Sequence, residues 1–182
     1  AKVTEEDTVL ITGGSGGVGS ALIQLANRRG ARCIAMSGAD KAPGVRAVGP
    51  YAVIDRSPED LRSALLDTIG QDFVDVVADV VGGALWPQLI EVISRGGRYT
   101  CAGAIAGPIV NFDLRIFYLR DLTFTGATVP PPGVFADLVG YIERGEVRPL
   151  LAATYPLEEL REAQQAFIDK RHVGNIVAVP GA

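Results

Sequence analysis

The glycines of Gly14-x-Gly16-x-x-Gly19 carry the most readable chemistry in this chain. They follow the apolar run Thr8-Val9-Leu10-Ile11-Thr12 and open an amphipathic segment, Ser20-Ala21-Leu22-Ile23-Gln24-Leu25-Ala26-Asn27-Arg28-Arg29. Glycine loses more backbone entropy on folding than any other residue, so five glycines between positions 13 and 19 need a reason. In a strand–loop–helix setting the reason is a dinucleotide. One glycine allows the tight turn, the next lets a pyrophosphate approach bare main chain, and the third lets the helix pack on the strand. The expected contacts are Gly14, Ser15, Gly16, Gly17, Val18 and Gly19, with backbone N–H groups at a helix N-terminus holding the phosphates.

The kind of dinucleotide is read at the end of the second strand. An NAD site places an acid there to bond the ribose 2′-hydroxyl. Here the segment is Ile34-Ala35-Met36-Ser37-Gly38-Ala39-Asp40-Lys41. Ser37 stands in the acidic place, and a hydroxyl tolerates a 2′-phosphate that a carboxylate would repel. Lys41 supplies a point charge. Arg56, just past the third strand, faces the same end of the sheet and flanks the adenine. The expectation is NADP, with NAD kept open by Asp40, a possible ribose ligand. At the other end, Val81 and Gly82 follow the fourth strand, and Gly103, Ala104 and Ile105 follow the fifth. No acid, base or nucleophile stands out. Asp79 reads as a buried anchor for backbone N–H groups, Trp86 as a packing residue and His172 as a surface side chain. One His and two Cys form no cluster with structural-zinc spacing. Cys33 and Cys101 fall in expected strands and read as reduced core residues.

The elements that must position these residues alternate. Strands are expected at 8–12, 32–36, 52–55, 74–80, 98–102 and 122–127, and helices at 17–29, 41–48, 57–69, 85–94, 113–120 and 134–144. Ser57 is the expected N-cap of the third helix, with Pro58 at its first position. Repeated βαβ units imply an α/β fold: a doubly wound, six-stranded parallel Rossmann sheet with helices on both faces. A strand at 152–155, a helix at 157–169 and a strand at 174–179 follow a sheet that is already complete. The chain thus divides into a dinucleotide-binding domain, 1–150, and a short α/β tail, 151–182. The 182 residues, 48% apolar, suffice for one full core. A net charge of −4 disfavours a nucleic-acid surface. The longest apolar candidate, 74–81, is interrupted by Asp75 and Asp79 and falls far short of the ~20 residues of a membrane span. The charged start, Ala1-Lys2-Val3-Thr4-Glu5-Glu6-Asp7, is unlike a signal peptide, so a cytoplasmic setting is expected.

The glycine loop, the Gly96-Gly97-Arg98 entry to a strand and the tail Pro156-Leu157-Glu158-Glu159-Leu160…Ala163 together resemble the medium-chain dehydrogenase/reductase superfamily. The likeness is to its quinone-oxidoreductase and zinc-type alcohol-dehydrogenase-like branches, and it covers nearly the whole chain. It implies hydride transfer between NADP(H) and a carbonyl, quinone or enoyl substrate. It implies that Lys41 matches a 2′-phosphate lysine, that Lys170 or Arg171 adds a second charge, and that the loops at Val81-Gly82 and Gly103-Ala104-Ile105 meet the nicotinamide and its ribose. It also implies a homodimer joined at the 122–127 edge. Members are similar to a two-domain plan with a catalytic domain ahead of the cofactor domain. This chain starts a few residues before the first strand, so it is expected to lack that domain, with any zinc ligands, and to be inactive alone. Gly174-Asn175 departs from the usual Gly-Lys. A catalytically silent NADP(H)-binding or redox-sensing module is the alternative. Thr12-Gly13-x-x-x-Gly17-x-Gly19 also fits a short-chain dehydrogenase, but none of the five tyrosines has a lysine four residues on, so that family's Tyr-x-x-x-Lys pair is missing.

Overall fold

A computed structural model describes residues 1–181. Six parallel strands form one sheet: β1 (Thr8–Ile11), β2 (Arg32–Ser37), β3 (Ala52–Asp55), β4 (Val74–Asp79), β5 (Ile93–Cys101) and β6 (Thr123–Gly126). Their order is β3-β2-β1-β4-β5-β6, so the chain winds outward from β1 in both directions. This is the doubly wound arrangement expected, and it puts the switch point between β1 and β4. β1 is buried at every residue, as a central parallel strand covered on both faces must be.

The side chains of each strand divide by alternation between two cores. Leu10, Ile34, Met36, Ile54 and Val77 pack under α3 (Leu61–Ile69) and α4 (Trp86–Glu91). Val9, Ile11, Cys33, Ala35 and Val76 pack under α1 (Gly17–Arg28) and α2 (Ala42–Arg46). Burial pushes the Cys33 thiol up to about 12, which keeps it a neutral core side chain. α5 (Leu114–Leu119) and α6 (Val134–Glu143) follow β5 and β6. The tail forms a separate two-stranded parallel sheet of β7 (Leu151–Pro156) and β8 (Asn175–Val179), joined through α7 (Leu160–Asp169).

Two local expectations fail for physical reasons. Ser57 does not cap α3: Asp60 does, its carboxylate accepting from Arg62 N at 3.0 Å and from Ser63 Oγ at 2.7 Å. The fourth helix does not reach 94, because β5 already begins at Ile93. Gly96 and Gly97 are therefore strand glycines beside a register shift on β4, not a helix stop. A Cβ on Gly97 would overlap Ile93 Cγ2 and lie 2.9 Å from Asp75 O, so a close backbone approach demands glycine there.

Candidate dinucleotide-binding site

The loop between β1 and α1 is built by steric demands that only glycine meets. Gly13, one residue ahead of the motif, takes the left-handed conformation (φ +62°) and makes the turn. The first glycine of the motif, Gly14, instead lies close against β2, where its N–H donates to Met36 O at 2.9 Å. Gly19 lets α1 sit on the loop, since a Cβ there would overlap the Gly13 carbonyl oxygen. A Cβ on Gly16 would meet nothing nearer than Gly13 O at 3.5 Å, so bare main chain is open at the α1 N-terminus. The N–H groups of Gly17, Val18 and Gly19 find no acceptor among the described residues, as the first turn of a helix leaves them. These features form the cradle that a pyrophosphate needs.

A cleft of about 490 Å³ lies along the carboxyl ends of the strands. Of the residues expected at a site, Ser15, Ser37, Arg56, Val81, Gly82, Ile105 and Lys170 line it. Gly14, Gly16, Gly17, Val18 and Gly19 form the loop and first turn of α1 rather than the lining. Gly103 and Ala104 back the β4 loop: a Cβ on Gly103 would lie 3.0 Å from Val80 O, and Ala104 Cβ lies 3.2 Å from where a Cβ on Gly82 would be. Lys41 is the half-buried N-cap of α2 and is not among the lining residues. Thr12, Gly13, Gly38, Ser57 and Ala106 also line the cleft and were not expected. Adjacency was the only signal for Gly13, Gly38, Ser57 and Ala106, each of which flanks a residue that was expected; Thr12 lies one residue further out.

The two ends of the cleft differ in charge. Arg56 and Lys170, both exposed, are its cations, and no Asp or Glu lines it. Asp40, the candidate ribose ligand, is not in the lining, but its Oδ1 lies 2.6 Å from where a Cβ on the lining residue Gly38 would stand, with Arg56 Nε 3.7 Å from the same point. Ser37 is buried, and its carbonyl accepts from Arg56 N at 2.9 Å, which ties β2 to the start of the Arg56 loop. Lys170 arrives from the tail, at the C-cap of α7. The tail is keyed to the glycine loop itself. Gly174 N donates to Ser15 O at 2.9 Å, and Asn175 fills the space beside Gly17 so closely that a Cβ there would overlap its Oδ1.

The other end is held by a buried polar network. Asp79 Oδ1 accepts from Thr12 Oγ1 at 2.5 Å, Val81 N at 2.8 Å and Gly82 N at 3.1 Å, while Oδ2 accepts from Tyr99 Oη at 2.7 Å. Thr12 Oγ1 in turn accepts from Val80 N at 3.0 Å. Burial and the Asp79 carboxylate push the Tyr99 phenol far above its ordinary pKa, so it stays a donor. Trp86 and Phe124 pack around the Tyr99 ring, with centroids at 4.8 and 5.4 Å, and fix its direction. The loops after β4 and β5 are then zipped together by Ala106 N to Val81 O at 2.8 Å and Gly83 N to Gly107 O at 3.0 Å. The anchor expected of Asp79 is thus present, with Tyr99 as a partner that the sequence did not suggest.

Residues 17–144 match the family model described as zinc-binding dehydrogenase. The chain belongs to that family, within the medium-chain dehydrogenase/reductase superfamily, a family of oxidoreductases. A Sinorhizobium meliloti 1021 structure, provisionally named an alcohol dehydrogenase, is 46% identical, has a TM-score of 0.95, and is matched over 100% of this chain and 50% of its own. Acryloyl-coenzyme A reductase of Metallosphaera sedula is 29% identical over 97% of this chain and 52% of its own length. The 2-octenoyl-CoA carboxylase reductase CinF, solved with NADP and 2-octenoyl-CoA, is 28% identical with a TM-score of 0.89, over 98% of this chain and 44% of its own. This chain therefore spans about half the length of the proteins it matches. Among the described residues no three His, Cys, Asp or Glu side chains are grouped to hold a metal ion, so they do not fit the zinc of the family's name. Nor is any described helix long and apolar enough to cross a membrane.

Proposed function

We propose that the protein binds NADP(H) in this cleft and forms the cofactor-binding part of an oxidoreductase acting on a carbonyl, quinone or enoyl substrate. The observation that carries the reading is the composition of the cleft's lining: two exposed cations, a buried serine and no carboxylate, beside an open helix N-terminus. The α1 N–H groups hold the pyrophosphate. Ser37, Arg56 and Lys170 receive the phosphorylated adenosine ribose, and Val81, Gly82 and Ile105 wall the nicotinamide end. When bound, the nicotinamide supplies or accepts the hydride, and the protein supplies orientation and electrostatics. The acryloyl-CoA reductase and the octenoyl-CoA enzyme favour an enoyl thioester within the substrate set. Tail residues 151–182 belong, on this reading, with the half of the relatives that this chain does not span. β6, the last strand of the sheet, is proposed to pair with its copy in a homodimer, since an uncovered edge strand tends to pair. A monomer in sedimentation at tens of micromolar protein would sink the dimer.

Titration of NADPH and NADH by cofactor fluorescence tests the cofactor assignment. A charge-assisted hydrogen bond contributes roughly 1.5–3 kcal/mol, so Arg56→Ala and Lys170→Ala should each weaken NADPH about tenfold or more and leave NADH unchanged. Lys41→Ala should weaken NADPH less than either, because Lys41 is not at the cleft wall. Equal affinity of the wild type for NADPH and NADH would overturn the assignment.

A further inference from the structure

Behind the β4–β5 end of the cleft sits a negative charge with no opposite charge beside it. Asp79 is 1% exposed, and each of its contacts is to a donor: Thr12 Oγ1, Val81 N, Gly82 N and Tyr99 Oη. A carboxyl group that only accepts is the ionised form. Lys2 and Arg29 line a groove that reaches Asp79 from the other face of the sheet. Among the described residues, however, no cation forms an ion pair with it. The donors spread the charge without cancelling it.

A dinucleotide whose pyrophosphate rests at the α1 N-terminus has its two nucleosides at opposite ends of the cleft. Arg56 and Lys170 draw the phosphorylated adenosine to the β2–β3 end, which leaves the nicotinamide to the β4–β5 end. There Val81 and Gly82 line the wall, and their N–H groups are the donors to Asp79. The carboxylate is thus one hydrogen bond behind the surface that the ring would meet. The oxidised ring is a cation and the reduced ring is neutral. In a protein interior the attraction between the carboxylate and a cation is screened far less than in water.

We propose that Asp79 biases this site toward the oxidised, cationic form of the bound nicotinamide and so makes the bound reduced form a stronger hydride donor. The proposal rests on the NADP(H) reading of the cleft. Asp79 touches neither substrate nor cofactor; it acts through its field across the Val81–Gly82 wall. Its charge should favour NADP⁺ over NADPH by between about threefold and tenfold. A tenfold bias lowers the potential of the bound two-electron couple by ~30 mV.

Calorimetric titration of NADP⁺ and NADPH, each against wild type, Asp79→Asn and Tyr99→Phe, tests it. Wild type should bind NADP⁺ at least as tightly as NADPH, and Asp79→Asn should move the ratio three- to tenfold toward NADPH. Tyr99→Phe removes a donor but keeps the charge, so it should lower the melting temperature and leave the ratio within twofold. A shift in Tyr99→Phe equal to that in Asp79→Asn would mean that the effect is structural and would overturn the proposal. So would an unchanged ratio in Asp79→Asn. If Asp79→Asn does not fold, wild type alone decides, since NADPH binding tenfold or more tighter than NADP⁺ contradicts the bias. Failure of wild type to bind either form overturns the NADP(H) reading itself, a result distinct from binding without bias.

Discussion

The β2–β3 end of the cleft is finished by side chains and the β4–β5 end by backbone. Arg56 and Lys170 reach the cleft from exposed positions and make no ion pair among the described residues. At the far end the wall is the main chain of Val81 and Gly82, held by Asp79, Thr12 and Tyr99. The first arrangement leaves charge free for a ligand at little structural cost. The second commits a buried network to shape, so its residues cannot change without disturbing the fold. The choice of NADPH over NADH and fold stability should therefore respond to different substitutions within one cleft.

The sharpest break in that comparison lies between the two ends, at the loop both share. Gly19→Ala places a Cβ onto the Gly13 carbonyl, so α1 must move from the loop. Overpacking of this kind costs about 3 kcal/mol, and urea unfolding and NADPH binding should both suffer. Next comes Tyr99→Phe, which takes a donor from a buried carboxylate and should cost about 1–3 kcal/mol in the same unfolding experiment. The β2–β3 end should behave in the opposite way. The double variant Arg56→Ala/Lys170→Ala should equalise NADPH and NADH affinities, with stability changed by no more than about 0.5 kcal/mol. If that pair unfolds the protein, or if Tyr99→Phe spares stability, the division between the ends is wrong. In the wild type, the NADPH preference should shrink as salt rises, because its cations are exposed.

The smallest effect concerns the attachment of α6. Glu146 pairs with Arg144 and with Arg28 of α1, and these hydrogen bonds hold its carboxyl at about 2, below the ordinary range. A depressed folded value means that the contact stabilises above the ordinary carboxylate pKa and is lost as pH falls through about 2. The pair is exposed, so global melting should not register it. Amide exchange of residues 144–147 in Glu146→Gln should rise at neutral pH, and no change there would remove the contact from the account.

Much of this was legible in the sequence because buried parallel strands leave little choice. The apolar β-branched runs of β1 and β4, the glycine loop and Gly70 after α3 each announce one structure. What stayed hidden depends on contacts across the chain. Asp60 won the cap from Ser57 because its carboxylate meets Arg62 N and Ser63 Oγ. The fourth helix was expected to run to 94 because the glycines that follow, Gly96 and Gly97, suit a helix end as well as the strand irregularity where they stand. The turn fell on Gly13 because Gly14 is needed against β2. Tyr99 as the partner of Asp79 could not be read at all, since pairing them needs the β4–β5 register. Lys170 was suggested by family likeness alone, and no local pattern ties a tail lysine to the first loop.

The bond from Gly174 to Ser15 has a consequence for biosynthesis. The glycine loop leaves the ribosome well before Gly174, the residue that braces it. Contacts so distant in sequence form late, after their loop-closure entropy has been overcome. The six-stranded sheet can be assembled while the loop still lacks its brace. Dinucleotide binding would then lag behind the appearance of secondary structure, and retention on a nucleotide resin would report completed folding rather than collapse.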